Sequence, residues 1–214
     1  MKFSFVRAAA ALTLAASAAM VAGCGGKAQF TVQGVITDQS GVVVSLANSG
    51  LVLANGSDTV SVPAGSTSFA FPKKIDYGTD YNITIKTQPA HMTCGVNAGS
   101  GSAGHTVSIQ AAVVCVQNQY TLGGQFTGIT VAADGTTART VTLLNGSNSQ
   151  VTLSSASATN GAGDFAFPAT VADGTAYGVT VVDPNNGLNC TVTNGTGVMH
   201  ETPVTNILVT CVPK

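Results

Sequence analysis

The sequence contains no tryptophan, and charged residues make up only 8% of its 214 positions, against roughly 25% in an average globular protein. Without Trp it cannot build an antibody-type domain, in which a buried Trp packs on the core disulfide. Sparse charge removes the footprint of a nucleic-acid binder, which needs clustered Lys and Arg to neutralise phosphates. The only basic doublet is Lys73-Lys74, expected in a solvated loop, and no nucleic-acid partner is expected. Histidines number three, His91, His105 and His200, and no G-x-S-x-G, H-E-x-x-H or paired-carboxylate motif accompanies them. They are read as exposed loop residues. No metal, no cofactor and no enzymatic activity is expected. Apart from one stretch near the start, no long apolar run exists, and nowhere beyond it is a helical periodicity sustained.

That stretch has three zones. Lys2 and Arg7 supply positive charge, Ala8 to Ala19 form an apolar run broken by Thr13 and Ser17, and small residues follow. This is the layout of a secretory signal peptide, and the run is too short for a comfortable membrane span of about 20 apolar residues. Val21-Ala22-Gly23-Cys24 resembles the bacterial lipobox, a small-residue tripeptide before a cysteine. The resemblance implies that the Cys24 thiol takes a diacylglyceryl group and that cleavage makes Cys24 the new N-terminus. A covalent lipid on Cys24 would be the only added group. Two or three acyl chains give stable anchoring, where one is marginal. Residue 25 is Gly rather than the Asp that commonly signals inner-membrane retention, which by the same resemblance points to the outer membrane. Processing would leave six basic and nine acidic residues, a net charge near −3.

After the anchor the chain repeats itself. Phe69-Ala70-Phe71-Pro72 recurs as Phe165-Ala166-Phe167-Pro168, 96 positions later. Tyr77-Gly78-Thr79-Asp80-Tyr81 is echoed by Asp173-Gly174-Thr175-Ala176-Tyr177, and Cys94 and Cys115 by Cys190 and Cys211, at the same offset. Earlier, Leu53-Ala54-Asn55-Gly56-Ser57 matches Leu143-Leu144-Asn145-Gly146-Ser147 at an offset of 90. The second copy therefore carries a small insertion, expected within residues 157–163. Such matches in order mark a duplicated unit. The expected organisation is a signal peptide over 1–23, a lipidated tether over 24–28, and repeats over 29–117 and 118–214, joined by a very short linker.

Each repeat reads as strands. Phe30 to Ile36, Tyr81 to Ile85, Thr106 to Ile109 and Tyr177 to Val181 place large side chains at alternate positions, the period of a half-buried strand. Asn55-Gly56, Asp134-Gly135, Asn145-Gly146, Asp173-Gly174 and Asn186-Gly187 supply turns. Short strands with frequent turns predict an all-β protein of two tandem immunoglobulin-like β-sandwich domains. Four cysteines allow three pairings; the duplication favours Cys94 with Cys115 and Cys190 with Cys211, one staple per repeat, in an exported setting that permits oxidation. Their spacing of about twenty residues fits neither a zinc site nor a C-x-x-C redox motif. Asp183-Pro184-Asn185-Asn186-Gly187 faintly resembles a calcium loop, but Gly is fifth rather than sixth and the twelfth residue is Asn194. A turn is expected there.

The ordered segments together resemble a module widespread in bacterial secreted and cell-surface proteins. Its pattern runs from an aromatic strand through Leu-x-Leu-x-Asn-Gly, Phe-x-Phe-Pro and Tyr-x-Val-Thr-Val to a closing pair of cysteines. The second repeat follows it throughout; the first departs at Asn97-Ala98-Gly99-Ser100-Gly101-Ser102. The resemblance implies a spacer or display module without catalytic residues. The sequence thus points to a lipid-anchored envelope protein serving as a surface spacer or binding module. The alternative is a protein- or glycan-binding subunit of an adhesin or envelope complex. With a tether this short, the first repeat should sit near the membrane, and the second is better placed to meet a partner.

Overall fold

The computed structural model describes residues 27–147, 149–182 and 185–214. The signal segment, Cys24 and the Asp183-Pro184 start of the calcium-like loop lie outside the described residues. Those residues are all-β, with no helix among them.

The first repeat contributes β1 (Gln29–Thr37), β2 (Leu51–Asn55), β3 (Asp58–Val62), β4 (Ser68–Asp76), β5 (Asp80–Thr87), β6 (Met92–Asn97), β7 (Ser100–Ser102) and β8 (Ile109–Gln117). They form two sheets, ordered β4-β1-β8-β6 and β3-β2-β5-β7. The second repeat contributes β9 (Gln119–Tyr120), β10 (Leu122–Thr127), β11 (Thr140–Asn145), β12 (Ser149–Ser154), β13 (Gly163–Ala166), β14 (Val171–Ala172), β15 (Ala176–Val182), β16 (Leu188–Thr193), β17 (Thr196–Val198) and β18 (Val204–Pro213). Its main sheets, β13-β10-β18-β16 and β12-β11-β15-β17, repeat the order of the first, and β9 pairs with β14. In each repeat the opening and closing long strands run parallel, Val32 to Thr37 beside Ile109 to Val114 and Leu122 to Thr127 beside Val204 to Thr210. The other ladders are antiparallel.

Two separate cores follow from the alternation of side chains. Val32 and Ile36 from β1, Leu51 and Leu53 from β2, and Ile109, Ala111 and Val113 from β8 all point inward and are buried. Leu122, Phe126, Val141, Leu143, Ile207 and Val209 do the same in the second repeat. Burying one such side chain stabilises by about 1.5–3 kcal/mol, which makes period-2 patterning the main determinant of each sandwich. The duplicated Phe-Ala-Phe segments place both rings inward, edge to face with centroids 6.2 Å apart for Phe69 and Phe71 and 6.1 Å for Phe165 and Phe167. Asn55-Gly56 and Asn145-Gly146 turn the β2–β3 and β11–β12 hairpins, with Gly56 at φ 60° and Gly146 at φ 56°. The connection between β12 and β13 spans residues 155–162, where that between β3 and β4 spans only 63–67. Three of the six inserted residues lie there.

Each disulfide lies within one sheet. Cys94 of β6 stands directly opposite Cys115 of β8, and Cys190 of β16 opposite Cys211 of β18, with Cα atoms 4.1 Å apart in both. Antibody domains staple sheet to sheet; here the bond ties an edge strand to its neighbour.

Two local expectations need correction. Thr106 to Ser108 is irregular, and β8 begins only at Ile109. The Thr106 hydroxyl donates to the Ser108 carbonyl at 2.8 Å, a local bond that competes with ladder pairing. Lys73 and Lys74 lie on β4 rather than in a loop. That strand is a sheet edge, where outward lysines discourage pairing with other chains.

Candidate functional site at the joint of the two repeats

Neighbouring repeats meet end to end through loops and a linker of one residue, Asn118, between β8 and β9. Its backbone serves both sides. Asn118 N–H donates to the His91 carbonyl at 3.0 Å, while the Asn118 carbonyl accepts from Asp173 N–H at 2.9 Å. Thr93 Oγ1 donates to Asn118 Oδ1 at 2.7 Å, and Gln117 Nε2 donates to the Asp173 carbonyl at 2.9 Å. These bonds fix the loop ahead of β6 against the β14–β15 turn.

Inside this frame sits a polar cluster drawn from both repeats. Asp173 is 2% exposed, and its Oδ2 lies 3.2 Å from His91 Nδ1. Neither of those two atoms has another hydrogen-bond partner, so each compensates the other. Asp173 Oδ1 accepts from Glu201 N–H at 3.0 Å. The His200 ring stands edge-on to that of His91, centroids 6.4 Å apart. The Glu201 amide holds the Asp173 carboxyl below its ordinary value, against the opposing effect of burial, with His91 and His200 adding to the lowering.

Backbone geometry marks the same place. His91 and Glu201 adopt left-handed conformations, φ 61° and 52°, which non-glycine residues rarely take. A Cβ built on Gly174 would lie 2.9 Å from His91 Cδ2; the imidazole rests on bare backbone. At the matching position of the second repeat, His91 is replaced by Gly187, also left-handed at φ 78°. Asp173 matches Tyr77 and His200 matches Gly104. The three residues of the cluster are thus positions where the two copies differ, and the fold brings those differences together.

In chemical terms the arrangement is a clamp. A buried carboxylate on one repeat is satisfied by an imidazole from the other and by a backbone amide. Of the three histidines, His91 and His200 converge and His105 stays apart, exposed on the loop before β8. Among the described residues no group of three or more His, Cys, Asp and Glu is placed to hold a metal ion. Sequence reasoning missed this site because it looked for local motifs around each histidine, and this cluster is made between the copies. The usable signal was the mismatch between the copies, His91 against Gly187 and Asp173 against Tyr77.

No protein-family model matches the chain, and no curated protein matches it. Among solved structures it is similar to the Bacillus anthracis TIE protein at 14% identity and a TM-score of 0.49, over 86% of this chain and 34% of that one. The chain therefore spans about a third of that protein's length. It is also similar to the major pilin protein of Streptococcus pyogenes, at 9% identity and a TM-score of 0.31, over 88% of this chain and 98% of the other. A mutant of the shaft pilin spaA from Lactobacillus rhamnosus GG gives 10%, 0.27, 88% and 98%. At such TM-scores the role of the chain rests on its own residues.

Proposed function

We propose that this chain is a non-enzymatic, lipid-anchored cell-envelope protein whose two repeats act as a stiff spacer at the membrane. The observation that carries the reading is the joint. A flexible tether between modules needs a polar, extended linker, whereas here Asn118 is hydrogen-bonded on both sides and Asp173 is buried against the neighbouring repeat. Rigid end-to-end stacking projects whatever follows to a set distance. Disulfides in both repeats fit an oxidising, extracytoplasmic location. In this reading residues 1–23 are removed, Cys24 carries the lipid, and residues 29–117 and 118–214 are the two modules. The outer membrane is the proposed site.

The test is Cys24→Ser in cells fed labelled palmitate. Label and membrane fractionation should both be lost, with the protein released in soluble form. If both survive the substitution, the anchor assignment is wrong.

A further inference from the structure

The end of the first repeat that faces away from the joint is built from three pieces of chain: residues 27–28 leading into β1, residues 77–79 between β4 and β5, and residues 103–108 between β7 and β8. Tyr77 N–H donates to the Ala28 carbonyl at 2.8 Å, and Gly78 N–H to the Ala103 carbonyl at 2.8 Å. The Tyr77 ring stands 6.5 Å from that of Phe30 and lies over Gly104, where a Cβ would come within 2.3 Å of it. Laid flat in this way, Tyr77 is still 63% exposed, and Val107 on the adjoining loop is 100% exposed. In the second repeat the equivalent end is the one that docks, burying Asp173 against its neighbour. The first repeat keeps the same docking end but replaces the buried acid with an exposed aromatic.

We propose, building on the reading that Cys24 carries lipid, that this end of the first repeat rests on the headgroup layer of a lipid bilayer through Tyr77 and Val107. The length of chain between lipid and fold selects this occupant. Three residues separate Cys24 from Ala28, and these four steps along the chain reach about 14 Å when fully extended, so the bilayer surface lies within contact distance of Tyr77. Tyrosine suits a headgroup layer because its ring is apolar and its hydroxyl is wet. The contact itself can be weak, since a short tether supplies an effective concentration in the millimolar range. Lys27 at this end is outweighed by Asp76 and Asp80, so the attraction is apolar rather than a pull toward anionic lipid. A second copy docking head to tail is disfavoured: its far end would offer Gly187 in place of His91, and Tyr77 stands in place of Asp173. Neither half of the His91–Asp173 clamp is present.

The experiment uses the full lipidated protein in nanodiscs of phosphatidylethanolamine and phosphatidylglycerol containing a gadolinium-chelating headgroup. Mass spectrometry of the N-terminal peptide first reports whether Cys24 carries lipid. Amide relaxation enhancement should then be strongest at Tyr77, Gly104 and Val107, and several-fold weaker at His91 and Asp173. In Tyr77→Ser/Val107→Ser, with lipid still attached and the amide spectrum otherwise unchanged, the enhancement at residues 77, 104 and 107 should fall several-fold, although the tether keeps this end the nearer one. Undiminished enhancement at those residues in the variant overturns the membrane contact alone. Absence of lipid on Cys24 overturns the anchor and the contact together. Concentration-dependent shifts of the same amides in soluble Cys24→Ser protein would show a second copy as occupant and also overturn the proposal.

Discussion

His91 of the first repeat and Asp173 of the second face each other across the joint, Nδ1 to Oδ2 at 3.2 Å, at positions where the opposite copy carries Gly187 and Tyr77. The pair couples two sandwiches that otherwise have separate cores. His91→Gly is the cleanest way to open it. Lys214 N–H donates to the Gly187 carbonyl at 2.8 Å, so the second repeat already shows that glycine sustains the equivalent backbone bond. The variant should keep both folds and lose the common orientation. Residual dipolar couplings check this: one alignment tensor for both repeats in the parent, two differing tensors in the variant.

Acid should act on the same joint with a definite sign. The Asp173 carboxyl is held below its ordinary value, chiefly by the Glu201 amide. A group lowered in the folded state adds stability that is complete above its unfolded value near 4 and is lost as pH falls through the lower folded value. The contribution is therefore intact at neutral pH and disappears only below about pH 4. Calorimetric unfolding of Asp173→Asn should give a lower transition temperature at neutral pH and converge on the parent in strong acid. Parallel curves at all pH values would mean that the carboxylate plays no such part.

The two disulfides close loops of equal sequence separation, 21 residues each. Replacing Cys94 and Cys115 with Ser should destabilise the first repeat by about 3 kcal/mol in the chain-entropy model. The Cys190/Cys211 pair should cost the second repeat a similar amount. Urea midpoints followed on each core separately will show whether the staples act locally, as their position within single sheets requires.

Two glycines separate backbone strain from collision. Gly56 is left-handed at φ 60° with nothing near an added Cβ, so Gly56→Ala should cost only about 1–2 kcal/mol. Gly128 is left-handed at φ 81°, and a Cβ there would come within 1.9 Å of the Cys211 carbonyl oxygen. Gly128→Ala must push β18 aside and should leave the second repeat poorly folded, read as collapsed amide dispersion for residues 120–214 beside an intact first repeat.

What the sequence disclosed and what it hid divide along one line. Strand periodicity, Asn-Gly turns, the Phe-Ala-Phe pairs and the cysteine pairing are local or repeat-level signals, and each copy reinforces the other. Topology was less legible: nothing in the residues of β1 announces a parallel neighbour 77 positions on, Val32 beside Ile109. The joint was hidden because it is made between copies. His91 alone is a polar residue before a strand, and Asp173-Gly174 alone is a turn; Gly174 does turn, at φ 81°. Only docking shows that the carboxylate is buried and that a histidine 82 residues away answers it. Val107 failed in the opposite direction, because alternation predicts a strand wherever local hydroxyl bonding does not intervene.

Coupling across the joint is best measured by disturbing one core and watching the other. Leu53 and Leu143 occupy matching places and are both 0% exposed. Leu143→Ala should destabilise the second repeat by about 2–5 kcal/mol through lost burial and the cavity left behind. If the clamp links the repeats, methyl signals of Val32 and Val209 should unfold closer together in urea than their separate stabilities dictate, because opening the second repeat exposes Asp173 and releases His91. In the His91→Gly background that link is gone. The same Leu143→Ala substitution should then move the Val209 midpoint alone and leave Val32 where it was. Equal behaviour in both backgrounds would reduce the His91–Asp173 contact to a neighbourly one without mechanical consequence.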